Sequence, residues 1–178
     1  MSTGTENKGR ERQWNGFQTS LLQDKSLSMN DTMKDWIILD CGSSTSLFAN
    51  PNLVKNIEDS SNMLELSTNA GIKYCHQKAE VPGFGKVWFD QDAVANIFGL
   101  VDLRKRYKVL YDSEKEDAFI VHLKDRKKLK FKASPGGLYF YKVSPEYKEY
   151  LQEMKEKEKH KTSYLMSSMA ENKQGFSQ

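Results

Sequence analysis

Between Asp35 and Val143 the apolar residues fall into short runs, each bounded by polar or glycine-containing turns. Runs of that length suit strands better than helices, and their regular spacing points to an all-β unit. Trp36-Ile37-Ile38-Leu39 is continuously apolar and rich in β-formers, and it reads as a buried strand. After the turn at Cys41 to Ser46, Leu47-Phe48 opens a new apolar stretch. Met63 to Ser67 alternates weakly and runs into Asn69-Ala70-Gly71, where Asn or Gly supplies the positive φ of a hairpin turn. Ile72 to Cys75 would return, and Lys86 to Phe89 follows Pro82-Gly83-Phe84-Gly85. Four more strands are expected at Tyr107 to Tyr111, Ala118 to Leu123, Leu129 to Lys132 and Leu138 to Val143. The fold class is mainly β, a small closed barrel or sandwich.

Helix is expected in two places. Leu100, Val101, Leu103 and Tyr107 lie about one turn apart with charges between them. Tyr147, Tyr150, Leu151 and Met154 mark one face of a C-terminal helix that starts near Pro145 and frays beyond Lys161. Only 38% of the 178 residues are apolar, so part of the chain lies outside any core. The polar stretch 1–34 is the expected disordered tail.

Composition also narrows function. A net charge of +3 does not by itself mark a nucleic-acid binder. Clusters such as Arg104-Lys105-Arg106 and Lys124 to Lys132 are interrupted by Glu114, Glu116, Asp117 and Asp125, so specific nucleic-acid binding is the minor reading. Cys41 and Cys75 sit in no CxxC or Cys/His cluster, and the three histidines are far apart in sequence; neither a metal nor a cofactor is called for. A disulfide is open on paper, but two free thiols fit better, since nothing else points to an oxidising compartment. With no signal-like or membrane-spanning apolar run, the expected location is intracellular, cytoplasmic with the nucleus as the alternative.

The chemically informative segment is Ile38-Leu39-Asp40-Cys41-Gly42-Ser43-Ser44. A carboxylate at the end of a buried strand can be tuned by burial for proton transfer, and a glycine two residues on lets the backbone turn beneath it. The plain structural alternative is an Asp that caps its own turn.

Hydrophobic-hydrophobic-Asp-Ser/Thr-Gly-Ala/Ser is the pattern of retroviral and retrotransposon aspartic proteases, and Ile38 to Ser43 resembles it. The order of further pieces is similar to copia-type retrotransposon polyproteins: Ser44 to Phe48, the tip Asn69-Ala70-Gly71, Gly83-Phe84-Gly85-Lys86-Val87, Asn96-Ile97-Phe98-Gly99-Leu100, Leu103 with Tyr107-Lys108-Val109, and Gly137-Leu138-Tyr139-Phe140. The resemblance implies a retropepsin-like protease domain over 35–110 with a flap hairpin, a strand extension over 111–143 like the junction to the pre-integrase region, and a C-terminal helix with a frayed tail over 144–178. It implies Asp40 as catalytic residue, Cys41, Gly42 and Ser43 as the active-site loop, Asn69, Ala70 and Gly71 as the substrate-binding flap, and Ile97, Phe98 and Gly99 as support. It also implies a homodimer, because the sequence has one Asp-x-Gly and such enzymes use two. The substrate would be a polypeptide, naturally a Gag-Pol polyprotein. Cys41 stands where the family has Ser or Thr, and Ser43 where it more often has Ala. An inactive peptide-binding or dimerisation module on the same fold is the rival reading.

Overall fold

In the computed structural model the described residues are 33–68 and 71–174. The tail expected over 1–34 lies outside them except for Met33 and Lys34, which belong to a short 3-10 turn, Met33–Asp35.

Ten strands follow in chain order: β1 Trp36–Asp40, β2 Leu47–Phe48, β3 Lys55–Thr68, β4 Gly71–Val81, β5 Gly85–Phe89, β6 Asn96–Gly99, β7 Lys108–Asp112, β8 Glu116–His122, β9 Lys128–Ala133 and β10 Tyr139–Lys142. A short helix α1, Leu100–Arg104, separates β6 from β7, and a 30-residue helix α2, Pro145–Gln174, follows β10. All ten strands form one sheet in the order β3-β4-β5-β2-β6-β1-β10-β9-β8-β7. It is mixed: β1 runs parallel to β6 and β2 parallel to β5, while the other neighbours are antiparallel.

The expected closed barrel is corrected. The sheet is open, with β3 and β7 as its two edges. Closure would need those edges to pair. β3 is polar, carries Asn56 in the left-handed region at φ 52°, and shifts register against β4 twice. Such bulges and charges disfavour a further strand partner.

Side-chain packing joins the two halves instead. One core takes Ile37, Leu39, Phe48, Val81 and Phe98 from one half and Val121, Leu129 and Phe131 from the other, with Tyr147, Tyr150, Leu151 and Met154 of α2. Fully burying each such side chain contributes roughly 1.5–3 kcal/mol. Ser144 starts the helix, its Oγ accepting from the Tyr147 N–H at 3.3 Å, with Pro145 in the first position where its missing N–H costs nothing. Further along, Lys157 reaches Asp125 in the β8–β9 turn at 2.6 Å, and Glu158 accepts from the Gly83 N–H at 3.1 Å and pairs with Lys55 at 2.7 Å. The helix therefore ties opposite halves of the sheet together. Gly83 permits this approach: its φ is +76°, and a Cβ there would lie 3.0 Å from both Met154 Cγ and Tyr150 Oη.

The expected strands are present, several with different limits. The hairpin is the main difference, since β3 and β4 extend well beyond Met63–Ser67 and Ile72–Cys75. The helix also continues past Lys161 to Gln174 rather than fraying. Its residues 159–166 are exposed, so backbone hydrogen bonding and helix-favouring residues carry that part. Among the described residues no helix is long and apolar enough to cross a membrane.

The Glu158 contact is pH-dependent. Desolvation pushes this carboxyl up, but the hydrogen bonds from Lys55 and the Gly83 N–H outweigh it and hold it below the ordinary carboxylate value. A lowered folded-state value stabilises above the unfolded value and loses that contribution as pH falls through the folded one. Being partly exposed, the contact contributes less than about 1 kcal/mol. Glu158→Gln should thus be less stable than the parent in urea at pH 7, with the gap closing at about pH 3. A gap unchanged between the two pH values would show that the charge is irrelevant.

Candidate active site

Asp40 is the last residue of β1, and both flanks of this strand are paired. On one side the parallel register sets Asp40 beside Gly99 of β6; on the other, Leu39 pairs with Tyr139 of β10. Both faces are covered as well, since Trp36, Ile37, Ile38 and Leu39 are each no more than 5% exposed. That double burial explains why the run is apolar without alternation. Asp40 itself is half-buried at the strand end.

The loop that follows folds back on the carboxylate. Asp40 Oδ1 accepts from the Gly42 N–H at 2.8 Å and from the Ser43 N–H at 3.2 Å. Ser43 Oγ donates to the Thr45 carbonyl at 2.6 Å. Gly42 is exposed and Ser43 half-buried. The Cys41 thiol is exposed; partial desolvation, then the Asp40 charge, push its pKa up, so at neutral pH it is a thiol and a weak hydrogen-bond donor.

Behind the loop stands Gly99. A Cβ there would meet the Thr45 carbonyl oxygen at 2.9 Å and the Ser43 carbonyl oxygen at 3.1 Å, both backbone atoms. The loop can approach β6 this closely only over a glycine. Phe98 is buried, with its ring 4.9 Å from Phe48 and 4.8 Å from Phe84, while Ile97 is half-buried. The six-residue loop 41–46 and the strand behind it thus meet through backbone at Gly99.

Two polar residues that the sequence reading did not single out hold this contact. Ser46 is buried; its Oγ accepts from the Gly99 N–H at 3.1 Å and donates to Asp102 Oδ2 at 3.1 Å. Lys105 pairs with the same carboxylate at 3.2 Å. Asn96 is wholly buried. Its Oδ1 accepts from the Ala49 and Asn50 N–H groups, both at 3.0 Å, and its Nδ2 donates to the carbonyls of Lys34 at 2.7 Å and Trp36 at 2.8 Å. One side chain so joins the entry to β1, the exit of β2 and β6. Ser46 is one of several hydroxyl residues in Ser43-Ser44-Thr45-Ser46, and nothing in the sequence marks it out. Asn96 stands in an otherwise largely apolar stretch, and nothing in the sequence marks its role either.

The hairpin of β3 and β4 is paired as far as Thr68 and Gly71. Asn69 and Ala70 lie outside the described residues, so the assigned flap tip is placed only at Gly71, the first residue of β4. On β4, Cys75 Sγ donates to the Phe89 carbonyl at 3.1 Å, and the two cysteines are free thiols. Among the described residues no group of three or more His, Cys, Asp or Glu side chains could hold a metal ion.

Chemically, the loop provides one carboxylate, Asp40, fixed in orientation by two backbone donors. Among the loop contacts the other carboxylate is Asp102, already engaged by Ser46 and Lys105. The chain matches no family model, and no curated protein matches it.

Two outcomes follow from this geometry. Gly99→Ala must push the loop off β6 at a cost of about 1–3 kcal/mol, readable as a lower urea midpoint; a loss under about 0.5 kcal/mol would mean that the loop yields freely. Removing the neighbouring charge with Asp40→Asn should lower the Cys41 pKa, so its alkylation by iodoacetamide turns on at lower pH. Mass spectrometry separates Cys41 from the buried Cys75, and superimposable pH profiles would show that the carboxylate does not act on the thiol.

Proposed function

We propose that this chain is a retropepsin-like aspartic endopeptidase of copia-type retrotransposon descent, active as a homodimer. The observation that carries the reading is the Asp40-Cys41-Gly42-Ser43 loop at the end of a doubly buried strand, its backbone seated on Gly99 of the parallel strand β6. A long hairpin, β3 and β4, is available in the same sheet as a flap.

In the proposed reaction two Asp40 side chains, one from each copy, face each other and share a proton, because two close carboxylates do not both ionise readily. The ionised member takes a proton from a water molecule. The resulting hydroxide attacks the peptide carbonyl carbon while the protonated member donates to the carbonyl oxygen. Collapse of the tetrahedral intermediate breaks the C–N bond, and the amine leaves with a proton from the pair. The apparent pKa values belong to the pair, not to either residue. The substrate lies extended under the flap and is held by main-chain hydrogen bonds. A Gag-Pol polyprotein is the natural substrate class.

Cys41 favours a second reading, an inactive module that keeps the fold for dimerisation or peptide binding. In the family the hydroxyl at this position braces the two loops across the dimer. A thiol with a raised pKa is a poorer substitute, at about 1 kcal/mol for one lost hydrogen bond.

One experiment separates the two. The full chain should cleave a mixed peptide library at about pH 4 to 6, the range in which a carboxylate pair holds one proton. Pepstatin and Asp40→Asn should each abolish cleavage, light scattering should give a dimer, and Cys41→Ser should raise the rate. A folded dimer that cuts nothing, even as Cys41→Ser, would replace the protease with the inactive module.

A further inference from the structure

The two open edges of the sheet differ in kind. β3 is long, polar and interrupted, as described. β7 is short and uninterrupted: Lys108-Val109-Leu110-Tyr111-Asp112. Where β7 and β8 lose register, the partners pass from Tyr111↔Phe119 to Asp112↔Glu116. The extra residues, Asp117 and Ala118, are therefore on β8, and the outer margin of β7 stays regular. Its central residues are apolar and open, with Leu110 44% and Tyr111 46% exposed. Beside Leu110 lies a hollow of about 520 Å³, lined in part by Ala118 and Ile120. An edge of this sort presents unpaired N–H and C=O groups to any extended chain.

The sequence of the edge selects the partner. If a second β7 is laid antiparallel with Leu110 opposite Leu110, Lys108 of each copy falls opposite Asp112 of the other. The strand is charge-complementary to itself in this register. Residues opposite one another share a face, so both leucines and both ion pairs lie on the side that carries Ile120. The existing Asp112 to Lys115 pair, 2.9 Å and on exposed side chains, is readily exchanged. A two-fold axis makes the contact self-limiting, as in isologous dimers.

We propose that the outer edge of β7 is a self-association surface, on which a second copy of this chain adds its own β7 antiparallel about Leu110. The surface is separate from the proposed catalytic dimer. β7 stands four strands from β1 in the sheet, about 19 Å at the usual spacing, so both contacts are open at once. A five-residue ladder buries far less than the ~1,600 Å² of a standard stable complex, so the association is weak and concentration-dependent.

Cross-linking tests it without relying on proteolysis. Leu110→Cys is placed in a full-length Asp40→Asn, Cys41→Ser background, which removes self-cleavage and the exposed native thiol. Opposed Cα atoms in an antiparallel pair are about 4.5–5.5 Å apart, within disulfide reach. Mild oxidation should yield a 110–110 disulfide several-fold above a Tyr164→Cys control, whose site is 75% exposed on the projecting helix. Adding Asp112→Lys should reduce the yield several-fold, and Lys108→Asp with Asp112→Lys should restore it. A yield no higher than the control, or a charge swap that restores nothing, would overturn the proposal. Circular dichroism on each variant excludes misfolding as the cause. Loss of protease activity in the parent chain would leave this readout untouched.

Discussion

Everything in this molecule hangs on the pairing of β1. Its five residues are bonded on one side to β6 and on the other to β10, and four of them are buried on both faces. A strand so enclosed has no freedom to slip, because a one-residue shift would exchange its two faces and break both ladders. Asp40 inherits that rigidity. The strand that carries it is held by two partners, β6 and β10, that lie far downstream in the chain. The pairing with β10 also means that the stretch after 110 is bonded directly to the strand bearing Asp40, with Trp36 and Phe140 in ring contact at 4.6 Å.

An open sheet with a single core needs something other than backbone to hold its halves together. Here that is α2, which buries Tyr147, Tyr150, Leu151 and Met154 and makes polar contacts with the β8–β9 turn on one side and with Gly83 and Lys55 on the other. Tyr107 adds a further link, donating to the Gly83 carbonyl at 2.6 Å. The turn at Gly83 is thus bonded through its N–H to the helix and through its carbonyl to the segment before β7. These links connect parts distant in sequence, so they reward folding only after long loops have closed.

Legibility in the sequence followed burial. β1 could be read because burial on both faces leaves an unbroken apolar run, and the helix face at Tyr147 to Met154 because one-sided burial leaves a 3.6-residue period. β3 was read too short because Lys55 to Asn62 is polar: an exposed edge strand with bulges has no apolar alternation to display. Open sheet and closed barrel share the same local pattern, since the difference lies in whether two end strands pair, which no single run encodes. At the candidate site, Asp40 and Gly42 were visible through their spacing. Ser46 and Asp102 were not, because their roles arise from a contact between the loop and a helix more than fifty residues away in sequence. Asn96 looked like one more residue in an apolar run, and only its four hydrogen bonds reveal why an amide is there.

The loop around Asp40 has two explanations, and they are compatible. Two N–H donors on Oδ1 are what an ordinary Asp-capped turn provides. The same donors hold the carboxylate in one orientation, which is the preorganisation that acid-base chemistry requires. The loop also has packing around it beyond its own two hydrogen bonds. Gly99 leaves room that no side chain permits, a buried Ser46 bridges its N–H to Asp102, and both flanks and both faces of the strand are covered. A turn cap needs none of these. In the proposed reading the second carboxylate comes from another copy, so the site exists only in the assembled dimer, and its population depends on protein concentration as well as on folding. In that reading a thiol at Cys41 would leave the fold of each copy intact and loosen the contact between the two.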